Sequence, residues 1–105
     1  MIKATPAQLR AIKDILARHL SGAEVRAFGS RVSGKPKQYS DLDLAVLAPQ
    51  KLDATRLEET RESFAESDLP FRVDILDWNA ISEEFKKVIE AGYEVIQQAG
   101  RRSRA

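Results

Sequence analysis

Glu24-Val25-Arg26-Ala27-Phe28-Gly29-Ser30 and, further on, Asp41-Leu42-Asp43-Leu44-Ala45-Val46-Leu47 are the two segments from which the fold is read. The first is short, carries Val25 and Phe28, and runs straight into Gly29-Ser30, which predicts a strand delivering a tight turn and the start of a short helix. The second alternates apolar and polar side chains, the period of a half-buried strand. Between them, residues 29 to 39 hold two glycines and a proline among basic and hydroxyl side chains, a polar loop joining two strands.

Working outward, Thr5-Pro6-Ala7-Gln8 combines an N-cap residue, proline at the first helical position and a glutamine placed to close a capping box. The helix that follows keeps Leu9, Ile12, Ile15, Leu16 and Leu20 on one face, with Gly22 as its stop. Downstream, Asp53 caps a charged helix running to about Glu66, anchored by Leu57 and Phe64. Phe71-Arg72-Val73-Asp74-Ile75-Leu76 alternates as a third strand. A last helix places Ile81, Phe85, Val88 and Ile89 on one face, capped by Asp77 or Asn79 and ended by Gly92. Tyr93 to Gln97 reads equally as more helix or a short strand. The order of elements predicts an α/β fold, a small mixed sheet covered by helices. Residues 1–99 are expected to form one domain and 100–105 a basic flexible tail.

Length and composition bound the function. A chain of 105 residues holds one domain with a modest core. With 43% apolar and 31% charged residues it has the composition of a folded globular protein. The net charge of +1 gives no general reason to expect a nucleic acid or a membrane as partner, so any partner is recognised locally. Absence of cysteine excludes disulfides, thiolate metal sites and cysteine nucleophiles. Without an apolar leader or a run long enough to span a bilayer, the cytoplasm is the expected location.

The candidate chemistry lies in three carboxylates. Asp41 and Asp43, two apart in a strand, project from one face while Leu42, Leu44 and Val46 take the other. Carboxylates roughly 7 Å apart along a strand repel each other unless a cation sits between them, and oxygen ligands suit Mg²⁺. Asp74 extends the pattern from a further strand, with Val73 and Ile75 turned to the core. Such a group can hold two divalent ions for an in-line phosphoryl displacement. Backbone N–H groups at Gly29 and the Ser30 hydroxyl are placed to hold an anion such as a triphosphate. Arg31, Lys35 and Lys37 follow with positive charge, and Ser40 precedes Asp41. Each feature alone has a bland explanation: two solvated turn residues, a surface pair of Asp74 with Arg72, an ordinary turn. Their order and spacing favour a site. His19 is assigned no catalytic role, and Trp78 and Tyr93 are read as packing residues. Gly29 to Lys35 also reads as the opening of a P-loop, but Pro36 then offers neither a hydroxyl for Mg²⁺ nor an N–H for phosphate.

Gly29-Ser30-Arg31-Val32-Ser33-Gly34, Ser40-Asp41-Leu42-Asp43-Leu44-Ala45-Val46 and Val73-Asp74-Ile75-Leu76 together resemble the signature of DNA polymerase beta type nucleotidyltransferases. Small size, the arginine after Gly-Ser and Phe85-Lys86-Lys87-Val88-Ile89-Glu90-Ala91-Gly92 resemble the minimal nucleotidyltransferases encoded beside HEPN-domain proteins. The resemblance spans about residues 5 to 97. It implies a polymerase beta palm-like fold, ATP as substrate and Mg²⁺ or Mn²⁺ as cofactor. It further implies triphosphate contacts from Gly29 and Ser30, metal on the paired Asp41 and Asp43, and a site completed by Asp74, which helps to deprotonate the acceptor. Beside these motifs, Arg31 and Ser40 are assigned to nucleotide binding and Asp74 is counted with the metal set. The partner implied is a HEPN ribonuclease toxin, neutralised by binding and by addition of AMP to a tyrosine. No second domain defines an acceptor site, which leaves it to a partner or an oligomer. A binding antitoxin without catalysis, and transfer to a small molecule, are the alternatives.

Overall fold

The structure is a computed structural model in which residues 2–33 and 41–100 are described. Helix α1 (Pro6–His19) leads to β1 (Glu24–Phe28), a single-turn helix α2 (Ser30–Ser33) and β2 (Leu42–Leu47). Then come α3 (Ala54–Ala65), β3 (Val73–Asp77), a 3-10 turn (Trp78–Ala80), α4 (Glu83–Glu90) and β4 (Tyr93–Gln97). The start of α1 is closed reciprocally: Gln8 N–H donates to the Thr5 hydroxyl at 3.1 Å and the Thr5 N–H donates to Gln8 Oε1 at 2.9 Å. Two orphan amides are thereby satisfied without help from the core.

The four strands lie in the order β3-β2-β1-β4. β1 pairs antiparallel with β2 and with β4, while β2 and β3 run parallel. A parallel pair cannot be joined by a tight turn, and α3 is the crossover that lets β3 return beside β2. Pleating then sorts the side chains. Val25, Ala27, Leu42, Leu44 and Val46 face α1 and α3 and are fully buried, with Ile12, Leu16, Phe64 and Ile75 in the same cluster. On the opposite face Phe28, Ala45 and Leu76 meet Phe85 and Ile89 of α4. α1 and α3 are also tied by polar contacts: His19 Nε2 lies 2.7 Å from Ser63 Oγ, and Arg56 Nε donates to the His19 carbonyl at 2.8 Å. His19 is thus a structural link between helices.

Several boundaries differ from the sequence reading. Tyr93–Gln97, open between helix and strand, is an edge strand on β1, and it makes the sheet four-stranded. The cap of α4 is Ser82, whose hydroxyl accepts from Phe85 N–H at 3.1 Å. Asp77 is taken by other amides: its two oxygens accept from Leu52 N–H at 2.9 Å and from Asn79 N–H at 3.0 Å. Val88, placed on the inward face of α4, is 62% exposed. Only Phe85 and Ile89 reach the sheet, because α4 covers it along one narrow stripe. The loop bearing Lys35, Lys37 and Ser40, and the tail 101–105, lie outside the described residues. Among the described residues, no helix is long and apolar enough to cross a membrane.

Candidate active site

All functional candidates within the described residues gather at one end of the sheet, where β1 finishes and β2 and β3 begin. The register is Phe28 opposite Asp43 in the antiparallel pair and Asp43 opposite Asp74 in the parallel pair. Neighbouring strands are about 4.8 Å apart, so these residues form a row across the open face. Asp43 and Asp74 stand side by side in it. Asp41 precedes the first residue of β2 and is exposed, so the pleat of the strand does not fix its direction.

Gly29 shapes the other end of the row. Its φ of +89° is a left-handed conformation that suits glycine, and a Cβ there would collide with a carboxylate oxygen of Asp43. The turn therefore packs its backbone directly against the Asp43 side chain. Ser30, the first residue of α2, is exposed beside it, and the Val32 N–H donates to the Gly29 carbonyl at 3.0 Å. Arg31 has a different environment. It is 6% exposed, its Nη1 donates to the Lys3 carbonyl at 2.7 Å, and its guanidinium lies 4.0 Å from the Phe71 ring centroid. These contacts anchor the residue after the turn to the N-terminal segment and to the chain entering β3.

The electrostatics follow from this crowding. Burial, followed by the negative charges of Asp74 and Asp41, pushes the Asp43 carboxyl above its ordinary value. Asp74 has a cationic neighbour, with Arg72 Nε donating to its Oδ1 at 3.1 Å. Among the described residues no three histidine, cysteine, aspartate or glutamate side chains are drawn together into a ready-made metal set. What is present is a carboxylate pair on adjacent strands with a third, exposed carboxylate near enough to be felt by Asp43. An all-oxygen donor set whose members repel one another fits a hard divalent cation, which offsets that repulsion.

Three depressions share walls along the row. One of about 370 Å³ lies between Gly29 and Phe28 on one side and Val88, Ala91 and Gly92 on the other. The middle one, about 400 Å³, contains Phe28, Asp43, Asp74, Arg61, Arg72 and Phe85 among its lining. The third, about 420 Å³, continues from Asp74, Arg61 and Arg72 over Phe64, Leu69 and Phe71. Phe28 and Phe85, packed edge to face at 5.9 Å, form the apolar wall of the middle space. Sequence reasoning passed over Phe28, Phe85 and Arg61 as site walls. Arg72, two residues before Asp74 in the alternating stretch from Phe71 to Leu76, carried a signal for sharing its face, whereas Arg61 comes from α3 and carried none.

The sequence matches the family described as "Polymerase beta, Nucleotidyltransferase" over residues 10–101. It is 48% identical over 91 residues to the "Probable protein adenylyltransferase MntA" of Haemophilus influenzae, an alignment covering 87% of this chain and 80% of that relative. The fold is similar to a chain in the crystal structure of a toxin-antitoxin with AMP-PNP, with a TM-score of 0.72 and 26% identity over 85% of this chain and 72% of that one. It is also similar to a chain in the complex of a tri-AMPylated Shewanella oneidensis HEPN toxin with an MNT antitoxin. There the TM-score is 0.67 at 25% identity, covering 87% of this chain and 70% of that one.

Proposed function

This chain belongs to the polymerase beta nucleotidyltransferase family, and from that premise we propose that it transfers AMP from ATP to a tyrosine hydroxyl of a HEPN toxin, acting as its antitoxin. The observation that supports this most is the placing of Asp43 beside Asp74 in register, with the Gly29 turn closed against Asp43. The MntA relative is named a protein adenylyltransferase, and the Shewanella HEPN toxin carries three AMP groups in its complex with an MNT antitoxin. Both point to a protein as acceptor.

In this reading the triphosphate lies at the Gly29-Ser30 end of the row. The turn brings backbone close to the ligand, Ser30 offers a hydroxyl, and Arg31 acts by holding the turn in place. Ser40 is assigned to the same nucleotide site. Asp41, Asp43 and Asp74 would hold the divalent ion, Mg²⁺ or Mn²⁺, which supplies neutralisation of phosphate charge when bound. Asp74 orients the acceptor hydroxyl and takes its proton as the acceptor oxygen bonds to the α-phosphorus. The bond from that phosphorus to the bridging oxygen breaks, and pyrophosphate carries the electron pair away on the opposite side. Phe28 and Phe85 exclude water from one wall of the space in which this happens.

The test is transfer of α-labelled AMP from ATP to the cognate HEPN toxin in MgCl₂. Label on the toxin is expected from the native chain, with a loss on the order of a hundredfold or more for Asp43→Asn and, in EDTA, no fall in thermal stability. Equal labelling by Asp43→Asn would sink the assignment of that residue. Neutralisation of the toxin by an Asp41/Asp43 double variant that no longer transfers would instead favour binding alone as the antitoxin mechanism.

A further inference from the structure

We infer that the groove between α3 and β3 is where the acceptor enters, and that it takes a segment of the acceptor protein in which the hydroxyl-bearing residue lies next to an acidic side chain. This rests on the function proposed above. In-line displacement requires the attacking oxygen to arrive opposite the departing pyrophosphate. With the triphosphate at the Gly29 end of the row, the acceptor must come from the Asp74 end, and β3, which carries Asp74, is an edge strand. Beyond that edge lies the 420 Å³ groove, which shares Asp74, Arg61 and Arg72 with the middle space. A side chain lying along the groove therefore presents its tip to Asp74.

The lining states what kind of segment fits. Phe64 and Phe71 are buried and, with the half-buried Leu69 and Val73, give an apolar surface suited to an aromatic ring. Two guanidinium groups stand over it. Arg61 reaches across from α3, with Nη2 donating to the Ile75 carbonyl of β3 at 3.1 Å, and its side chain is 45% exposed. Arg72 is 75% exposed and paired with Asp74. Each has a carboxylate neighbour, Glu58 at 3.3 Å for Arg61 and Asp74 at 3.1 Å for Arg72. Exposed pairs of this kind hold weakly and exchange readily. An acidic residue on the acceptor can therefore be met by planar, fork-shaped donors, and a guanidinium also stacks favourably on a phenol ring.

Ala65 lines the groove from the exposed end of α3, so a large side chain there fills the space without entering the core. Ala65→Trp should lower kcat/KM for the HEPN toxin by about tenfold or more through KM, while the affinity for a fluorescent ATP analogue stays within about twofold. Arg61→Glu should raise KM for the toxin further than Arg61→Gln does, since only the former repels an acid. Native-like KM values for both Ala65→Trp and Arg61→Glu, with the native chain active and Asp43→Asn inactive, overturn the groove and leave the proposed function standing. Equal effects of Arg61→Glu and Arg61→Gln overturn the acidic acceptor segment. A native chain that labels no toxin at all overturns the function, and the groove with it.

Discussion

On one face of the sheet Val25, Ala27, Leu42, Leu44 and Val46 disappear beneath α1 and α3; on the other, Phe28, Asp43 and Asp74 share a surface that α4 covers only in part. The same two strands, β1 and β2, supply both faces, one residue out of step with each other. The covered face gains stability from burial and holds nothing reactive. The open face brings carboxylates together, raises the proton affinity of one of them and stays accessible to ligand. Stability and the proposed chemistry are thus separated by the period of a strand, and substitutions at adjacent positions should act on different properties.

The sharpest way to break this division is Leu44→Ala. Leu44 is fully buried between Asp43 and Ala45, and its truncation should cost about 3 kcal/mol through lost burial and the cavity left behind. Urea unfolding should show the loss as a lowered midpoint, and below that midpoint transfer per folded molecule should remain native. A variant that stays stable but loses transfer would mean that the covered face contributes directly to the chemistry. Gly29→Ala should have the next largest effect, about 2 kcal/mol, because a Cβ at φ +89° is strained and meets the Asp43 carboxylate. Unlike the core change it should also abolish transfer in molecules that remain folded, which labelling below the unfolding temperature will reveal.

Much of the covered face was legible because local chemistry sets it. Thr5-Pro6-Ala7-Gln8 announces the start of α1, and the alternation in Leu42 to Leu47 announces β2. β4 was not legible: Tyr93 to Gln97 is five residues long, and its strand character comes from pairing with β1, itself interrupted by a register shift between Val25 and Arg26. The cap of α4 was misplaced because Asp77, a good cap by type, is drawn to Leu52 and Asn79 by the packing of the connection that follows β2. At the open face, residue types and spacing singled out Asp41, Asp43 and Asp74. The side-by-side placing of Asp43 and Asp74 depends on the parallel register set by the α3 crossover, which no local pattern encodes. Arg61 enters by the same crossover, and for the same reason it could not be read.

The smallest expected effect sharpens the comparison most, since it gives the open face a sign opposite to that of the core. The folded protein raises the proton affinity of Asp43, through burial first and then the charges of Asp74 and Asp41, above the value of about 3.9 for a free side chain. A carboxyl that binds its proton more tightly when folded contributes stability fully below the unfolded pKa and loses it as pH rises through the folded pKa. At neutral pH the native chain therefore carries a residual destabilisation from this cluster. Asp43→Asn removes the charge, so in EDTA the variant should unfold at a temperature equal to or above that of the native chain, and the difference should shrink as pH falls toward 4. Adding a divalent cation should stabilise the native chain, by about 2.7 kcal/mol at one hundred times Kd, and the variant much less. Were Asp43→Asn to lower the unfolding temperature at neutral pH in EDTA, Asp43 would be a structural residue like its neighbour Leu44, and the two faces would not differ in kind.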